Sequence, residues 1–421
     1  MKHRLRLAAG LTGIAILAAA CGGGGASPSA ATSAEPSTAA SPGASAATSA
    51  EPSAAALSGD LTIWHSYGSS GGNAEFTAFT QIVDSVKAAN PELNVTLLEV
   101  PFNDLFTKVA TEVAAGGGPD LIIAPNDSLG AQVRANLLAD LTGKVEEVTG
   151  ASTELAIAGS TVDGKLYEVP ESLKAVAMYY DTAKVTDPPA TTDELLAFVN
   201  GGGKLGVLSG PYFGWGFYNA FGGDIFDDTG KCAATANSGV ADALAFVKEL
   251  KDAGALVDPA YDKVNDAFKN GEIDIIFNGN WVLGDYKTAR PSIGVAPVPS
   301  GPGGEAAATL VGVDGYYINA ASQNADLATQ AAKLLTNADA QKIYVDTAGH
   351  VPANTSVAVS DPLVEAFGEV IATGEARPQI KEMDNYWANF DNAWNEVLTK
   401  GTDPATAVAA ACTAMDTANG K

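Results

Sequence analysis

The sequence predicts an α/β protein of two lobes with a ligand cleft between them. Strand-like and helix-like segments alternate from Leu61 to Ala124, and the alternation resumes from Ala175. The length of 421 residues is enough for two or three domains. A β-α-β order implies parallel strands joined by right-handed crossovers. Two such units leave a cleft at their junction, where small-molecule sites are common.

The first twenty residues have the pattern of an export signal. Lys2, Arg4 and Arg6 form a positively charged start. An uncharged apolar run then extends from Leu7 to Ala20. As a helix this run would span roughly 21 Å, too short for a bilayer core of about 30 Å. We therefore predict a signal peptide at residues 1–20.

Cys21 directly follows the apolar run. The segment Leu17-Ala-Ala-Ala-Cys21 resembles a bacterial lipoprotein cleavage box, although its leucine stands four positions before the cysteine instead of three. The resemblance implies a lipidated Cys21 and contact with the cell membrane through a lipid anchor only. The alternative is ordinary secretion with cleavage close to Cys21.

Residues 21–58 are predicted to be the lipidated cysteine followed by a disordered linker. From Gly22 to Ser58 every residue except Glu35, Glu51 and Leu57 is Ala, Ser, Gly, Pro or Thr, a composition that cannot bury a core. The segment Ala-Thr-Ser-Ala-Glu-Pro-Ser occurs twice, which we interpret as low-complexity duplication.

The first predicted α/β unit contains three strands and two helices. Apolar residues at helical spacing mark the helices, Asn90-Pro91 ends the first, and Gly116-Gly117-Gly118 ends the second. The elements in order are a strand at 61–65, a helix over 76–86, a strand at 95–100, a helix over 105–113 and a buried strand at 121–124.

The second unit repeats this alternation. Thr191 and Glu194 have the spacing of a helix capping box, and Asn270-Gly271 is typical of a helix end. The other predicted elements are strands at 175–180, 205–208, 273–277 and 316–318, a helix over 240–250 and a mainly helical tail.

Composition and missing motifs exclude several functions. A formal charge of −25 argues against a nucleic-acid or anionic-membrane surface. Three cysteines and three histidines leave little for metal or imidazole chemistry, and no phosphate loop or nucleophile elbow is present. We expect no metal, no cofactor and no enzyme activity. A carboxylate pair for glycoside hydrolysis stays open, because such a pair is defined by separation in space.

Several segments, in their order and spacing, carry a resemblance. From Leu61 to Met415 the chain resembles bacterial extracellular sugar-binding proteins of ABC importers, the maltose/maltodextrin-binding group. The segments are Leu61-Thr-Ile-Trp-His65, Ala115-Gly-Gly-Gly-Pro-Asp120, Gly210-Pro-Tyr-Phe-Gly-Trp215, Ala267-Phe-Lys-Asn-Gly271, Asn278-Gly-Asn-Trp281, Val311-Gly-Val-Asp-Gly315 and Ile318-Asn-Ala-Ala-Ser322, followed by Pro378, Met383 and Tyr386-Trp387.

This resemblance implies a periplasmic-binding fold of type II, a monomer whose lobes close like a hinge around a sugar. The N-terminal lobe would comprise residues 59–171 and 315–359, and the C-terminal lobe residues 172–314 and 360–421. The protein would deliver its sugar, an oligosaccharide of maltodextrin type, to an ABC permease in the membrane. Two alternatives are the same fold binding a polyol or glycerol phosphate, and a secreted glycan hydrolase.

A sugar needs flat aromatic side chains for its C–H faces and charged groups for its hydroxyls. By the resemblance, Trp281, Trp387, Tyr212 and Phe213 match aromatic residues of the site, and the alternative for each is a core aromatic. Trp394 shares a helix face with Trp387, and we expect it in the core. Asp127 matches a hydroxyl-binding aspartate, with a helix cap as the alternative.

Four further candidates lie near the cleft. His65, Ser66 and Tyr67 follow the first strand at its carboxyl end, and a hydrogen-bonded structural role is the alternative for His65. Asp314 falls on a segment that crosses between the lobes and either reaches ligand or serves the hinge.

The chain departs from the maltose-binding pattern at three positions. Lys174 and Gly210 replace sugar-binding glutamates, and Ala124 replaces a tryptophan. Glu171 is a candidate substitute for a lost carboxylate. Lys174 pairs either with an acidic group of the ligand or, in the alternative that we favour, with a carboxylate of the protein.

Two cysteines follow Cys21. Outside the cytoplasm such a pair is usually joined, so Cys232 and Cys412 are predicted to form a disulfide, which the resemblance permits by placing both in one lobe. Two buried thiols are the alternative.

Overall fold

The computed structural model describes residues 56–68 and 73–421. The predictions of a signal peptide, a lipidated Cys21 and a linker up to residue 55 lie outside the described residues. The first strand begins at Ser58, the last residue of the predicted linker.

Strands and helices alternate along the described chain. The strands are β1 (Ser58–His65), β2 (Glu92–Glu99), β3 (Leu121–Pro125), β4 (Thr161–Val162), β5 (Lys165–Leu166), β6 (Val169–Lys174), β7 (Val176–Asp181), β8 (Leu205–Leu208), β9 (Leu256–Asp258), β10 (Ile275–Gly279), β11 (Ile293–Ala296), β12 (Leu310–Ile318), β13 (Val351–Pro352) and β14 (Glu375–Ala376).

The α-helices are α1 (Asn73–Ala89), α2 (Phe102–Ala114), α3 (Leu129–Arg134), α4 (Glu146–Thr149), α5 (Glu154–Gly159), α6 (Thr192–Asn200), α7 (Trp215–Ala220), α8 (Gly239–Asp252), α9 (Tyr261–Lys269), α10 (Leu283–Ala289), α11 (Ala325–Leu335), α12 (Ala338–Ala348), α13 (Pro362–Ala372), α14 (Tyr386–Asn395) and α15 (Pro404–Asn419). The 3₁₀ turns Asn126–Ser128, Asn280–Val282 and Lys381–Asn385 precede α3, α10 and α14, and a π-helical turn at Glu396–Lys400 follows α14.

The first sheet has the strand order β13-β6-β12-β3-β1-β2, with β14 paired to the start of β12. Its strands β1, β2 and β3 are parallel, as the β-α-β-α-β pattern predicts. β12 enters antiparallel to both β3 and β6. The α/β fold class is therefore confirmed, with an antiparallel strand that local patterns did not reveal.

The second sheet has the order β11-β7-β10-β8-β9. Here β8 is parallel to β9 and β10, and β7 is antiparallel to β10 and β11. The predicted capping box begins α6, because the Thr191 side chain accepts from the Glu194 N–H and the Glu194 side chain returns to the Thr191 N–H. This arrangement satisfies N–H groups that a helix start otherwise leaves unpaired.

The chain passes from the first sheet to the second at Ala175, between β6 and β7. Asn280 holds this crossing: its side-chain oxygen accepts from the Ala175 N–H at 3.2 Å, and its side-chain nitrogen donates to the Leu173 carbonyl at 3.0 Å. The amide replaces the ladder partners that the backbone loses between two sheets. The lobe boundary at residues 171 and 172 stays a prediction.

Apolar side chains pack on both faces of each sheet. Trp394 lies in the core beside the second sheet, where its indole N–H donates to the Tyr218 hydroxyl at 2.6 Å, as expected of a core residue. Across residues 56–68 and 73–421, no helix combines the length and the apolar character that crossing a bilayer requires.

Cys232 and Cys412 are joined in a disulfide whose Cα atoms lie 5.4 Å apart. Cys412 lies on α15, and the Cys232 N–H donates to the Asp416 carboxylate at 2.9 Å on the same helix. The bond therefore ties the loop after α7 to the C-terminal helix across 180 positions of sequence.

Candidate functional site

Three aromatic side chains gather at one edge of the second sheet. Tyr212 and Phe213 follow β8, and Trp281 follows β10. Because β8 and β10 are parallel neighbours, their carboxyl ends meet at this edge. The Trp281 ring lies 6.0 Å from Tyr212 and 6.4 Å from Phe213, and its N–H donates to the Tyr261 hydroxyl at 2.9 Å. All three rings are half-buried, so each keeps an accessible part.

Trp387 joins this group from α14. It is half-buried, in contrast to Trp394 on the same helix. The guanidinium carbon of Arg377 lies 5.7 Å from the centre of the Trp387 ring and 5.3 Å from that of Tyr212. Trp281, Trp387, Tyr212 and Phe213, which the sequence suggested separately, are thus brought to one region. We name them the aromatic wall.

Asp127 reaches the same region from the first sheet. It lies in the 3₁₀ turn after β3, with its side chain about one-third exposed, and pairs with Nη1 of Arg377. The N-cap positions of this turn and of α3 are Pro125 and Ser128, so Asp127 is not the helix cap of the alternative interpretation. Arg377 itself was missed, although its position beside the quoted Pro378 and the scarcity of arginine were available signals.

Further contacts hold the segment after β14 against the turn after β3. The Gln379 side chain donates to the Asn126 carbonyl and accepts from the Gly130 N–H, each at 3.3 Å. Arg134 pairs with Asp384 at 2.6 Å. These bonds fix the position from which Arg377 meets Asp127.

A buried charged network lies beside the aromatic wall. Lys174 at the end of β6 pairs with Glu75 of α1 at 3.0 Å and with Asp314 of β12. Its ammonium group is 5.7 Å from the centre of the Trp281 ring. His350 lies between Glu75, at 2.8 Å, and Glu171, at 3.1 Å. We call Lys174, Glu75, Asp314, His350 and Glu171 the charged network.

The contacts of the charged network bear on three interpretations made from the sequence. Lys174 takes the favoured alternative, an internal ion pair. Glu171 is fully buried and its carboxylate pairs with His350 at 3.1 Å, so its observed partner belongs to the protein. Its role as a substitute sugar-binding carboxylate stays a prediction. Asp314 is almost fully buried against Lys174 on the crossing strand β12, so it belongs to the junction of the sheets.

Burial and ion pairs compete in setting the pKa values of this region. Burial raises the pKa of Asp314 to about 6, even though the charge of Lys174 opposes the shift. Glu168, buried nearby with Ser160 donating to it at 3.1 Å, has its pKa raised well above the usual range for the same reason. Burial also raises the pKa of Glu75, but Lys174 and His350 outweigh it and lower the pKa overall. Glu75 and His350 escaped sequence reasoning because their partners are remote in the chain, and no motif marked Glu168.

His65 and Tyr67 are both buried at the end of β1. His65 is buried with its ring 5.6 Å from Phe76 and 5.0 Å from Phe79, and burial lowers its pKa. Tyr67 packs at 5.6 Å from Phe79. Ser66 between them is half-buried. The His65 ring thus contacts the buried Phe79 and the exposed Phe76, which fits the structural alternative for His65. That His65, Ser66 and Tyr67 face the ligand stays a prediction.

We expect stability to fall as the pH rises from about 6.5 to about 9. Burial alone lowers the pKa of His350, but Glu171 and Glu75 outweigh it and raise the pKa to about 9. The folded protein therefore holds a proton that the unfolded chain releases above about 6.5, so the stabilisation is complete below that pH and is lost by about 9. The loss is of order 3 kcal/mol.

Urea unfolding at pH 6, 7.5 and 9 measures this slope, and His350→Gln should flatten it. His65→Gln is the matched control, because a lowered pKa does not titrate in this window. An unchanged slope in His350→Gln would show that another group causes the pH dependence.

The fold and the site together define a binding protein: two α/β sheets joined by crossing strands, with aromatic and charged side chains gathered at their junction. The chain belongs to the family of bacterial extracellular solute-binding proteins, whose model matches residues 81–368. The family places the protein outside the cytoplasm. Among residues 56–68 and 73–421, no group of three or more acidic, histidine or cysteine side chains is arranged to hold a metal.

Two relatives of this chain are sugar-binding proteins by name, as expected of this family. The chain is 27% identical to the galactooligosaccharide-binding protein of Bacillus subtilis over 82% of its length and 86% of that protein. It is 26% identical to the maltotriose-binding protein of Pyrococcus abyssi over 81% of its length and 78% of that protein. These relatives bind solutes and are not enzymes, which confirms the prediction of a binding protein of maltose-binding type and makes the hydrolase alternative wrong.

Solved structures share the fold. The maltotriose-binding protein of Thermus thermophilus, bound with maltotriose, superposes with a TM-score of 0.78 at 27% identity, covering 85% of this chain and all of that one. The maltose/maltodextrin-binding domain of Bdellovibrio bacteriovorus superposes with a TM-score of 0.79 at 21% identity, covering 86% of this chain and all of that one. The predicted periplasmic-binding fold of type II is therefore confirmed.

Proposed function

We propose that the protein captures an oligosaccharide, of maltodextrin or galactooligosaccharide type, and delivers it to an ABC permease. The observation that carries this proposal is the aromatic wall at the edge of the second sheet, next to the Asp127–Arg377 pair. Flat rings cover the apolar faces of a sugar, and charged groups bond its hydroxyls. The names of the relatives and the maltotriose-bound neighbour support the same class of ligand.

A neutral ligand fits the charges better than an anion. Lys174 is paired with two carboxylates and Arg377 with one, so neither brings an uncompensated positive charge to the aromatic wall. Recognition of a phosphate usually depends on free cationic groups, above all arginine. The polyol alternative remains compatible with these charges, whereas glycerol phosphate fits them less well.

The proposal includes a tether and a location. A lipid on Cys21 would hold the mature chain at the outer face of the cell membrane, and the protein would act there as a monomer beside its permease. The sequence of residues 17–21 supports the lipid, and mass spectrometry of the mature N-terminus tests it. A mature N-terminus without a lipid-modified cysteine would contradict this part alone.

Titration calorimetry of the purified protein with mono- to heptasaccharides of glucose and galactose tests capture. We expect saturable binding of one class, and we expect Trp281→Ala and Trp387→Ala to weaken it by roughly tenfold each, since an aromatic stacking contact contributes about 0.5–1.5 kcal/mol beyond its buried area. Trp394→Phe is the matched control and should bind normally, because Trp394 lies in the core.

Two results would count against the proposal. Absence of binding by a folded, ligand-stripped protein to any of these saccharides would favour a non-sugar solute. Binding that both alanine variants retain unchanged would place the ligand elsewhere than on the aromatic wall.

A further inference from the structure

Arg377 is buried and held by several contacts at the junction of the two sheets. It directly follows β14, and its backbone N–H donates to the Val311 carbonyl of β12 at 3.0 Å. Its guanidinium lies against Gly312, where an added Cβ would stand 3.4 Å from Nη2. The side chain is 3% exposed. Such burial of a charged group requires partners, and the partners define what Arg377 does.

The guanidinium group has three kinds of neighbour. Nη1 pairs with Asp127, which belongs to the first sheet. The aromatic rings of Tyr212 and Trp387 lie 5.3 and 5.7 Å from its central carbon. Within the described parts of the chain, its Nε–H has no hydrogen-bond acceptor. A buried N–H without an acceptor is uncommon, since most buried donors are paired with protein or solvent.

We propose that Arg377 is a ligand-contacting residue that determines specificity for a pair of neighbouring hydroxyls. The inference rests on the proposed function, a sugar stacked on the aromatic wall. The Nε–H donates to one hydroxyl, and Asp127, held in place by Nη1, accepts from the next. Because a hydroxyl both donates and accepts, a donor and an acceptor side by side match two adjacent hydroxyls of a neutral sugar.

This arrangement also rejects incomplete ligands. A sugar that lacks one of the two hydroxyls leaves a buried donor or acceptor unpaired, and sites built on such groups discriminate strongly against the analogue. Arg377 therefore discriminates between sugars by the positions of their hydroxyls. The aromatic rings bind any sugar face of suitable shape.

Arg377→Lys is the informative variant, because lysine keeps the charge opposite Asp127 and loses the Nε–H of the planar group. The matched control is Arg290→Lys: Arg290 is also buried and pairs with Asp181, remote from the aromatic wall. Using maltotriose and galactotriose as probes, we expect Arg377→Lys to weaken binding of the sugar that the parent protein binds by roughly 10–100-fold. Arg290→Lys should stay within about twofold.

A set of monodeoxy derivatives of the bound trisaccharide separates contact from positioning. Removing the hydroxyl that meets Nε should weaken binding to the parent protein by about tenfold or more, and should have little further effect on Arg377→Lys or Arg377→Gln. If Arg377 only positioned Asp127, removing the hydroxyl assigned to Nε would weaken binding to the parent protein and to Arg377→Lys by the same factor, and this result would overturn the inference. Unchanged affinity in a folded Arg377→Lys protein would overturn it as well.

The failure of the proposed function gives a different result. If the parent protein binds no saccharide of the panel, the proposal of a sugar ligand fails and this inference fails with it. If the parent binds and Arg377→Lys binds equally well, only the inference fails.

Discussion

Replacing Lys174 with methionine should lower the free energy of unfolding by about 3–5 kcal/mol. The ammonium group neutralises Glu75 and Asp314, and all three side chains are about nine-tenths or more buried. Methionine fills a similar volume, so the loss comes from Asp314 left in a low-dielectric site without its cation and from Glu75 left with His350 alone. Guanidinium unfolding followed by circular dichroism measures this change.

Two further variants make this result specific. Lys184→Met removes a lysine that pairs with Asp274 at 2.6 Å but is nearly half exposed, and it should cost less than about 1 kcal/mol. Adding Glu75→Gln and Asp314→Asn to Lys174→Met should restore part of the lost stability, because the uncompensated charges are then gone. A Lys174→Met protein no less stable than Lys184→Met would contradict the role assigned to the charged network.

Removal of the disulfide should have an effect of similar size. Closing a loop of 180 positions stabilises a protein by about 5 kcal/mol in the chain-entropy model, and measured losses are commonly about 2–5 kcal/mol. We therefore expect Cys232→Ala with Cys412→Ala to lower the free energy of unfolding by several kcal/mol. The bond ties α15 to the loop after α7, so the C-terminal helix should lose protection from hydrogen exchange first.

Reduction supplies the matched comparison. Treatment of the parent protein with a thiol reductant should lower its stability towards that of the double variant, whereas the variant should not respond. An unchanged unfolding midpoint after verified reduction would show that this loop gains nothing from the bond. Sugar binding should survive in both forms at a temperature where they are folded, because neither cysteine belongs to the aromatic wall.

The charged network has a consequence for the binding site. Lys174 lies 5.7 Å from the centre of the Trp281 ring and is held by residues of α1 and β12. The ion pairs therefore fix the Lys174 ammonium group, which in turn contacts the Trp281 ring of the aromatic wall. At position 174, where the maltose-binding pattern has a sugar-binding glutamate, this chain has a lysine that pairs with two carboxylates of the protein.

Much of the fold could be predicted because its signals are local. The sequence of a buried parallel strand such as β3 is a continuous apolar run, and the apolar residues of α1 recur at helical spacing. The capping box of Thr191 and Glu194 lies within four residues. The position of Trp281 after a strand end was also evident locally. These features depend on periodicity and turn chemistry, which neighbouring residues determine together.

The partners in the site were decided by tertiary structure alone. Lys174 meets Glu75 across 99 positions, and Arg377 meets Asp127 across 250. Each carboxylate had many possible cations in the sequence, and only the antiparallel entry of β12 between β3 and β6 places Asp314 beside Lys174. Sequence by itself determined which segments are strands, helices and candidate ligand contacts. Which charges neutralise one another depends on burial and distance, and these exist only once the remote segments have packed together.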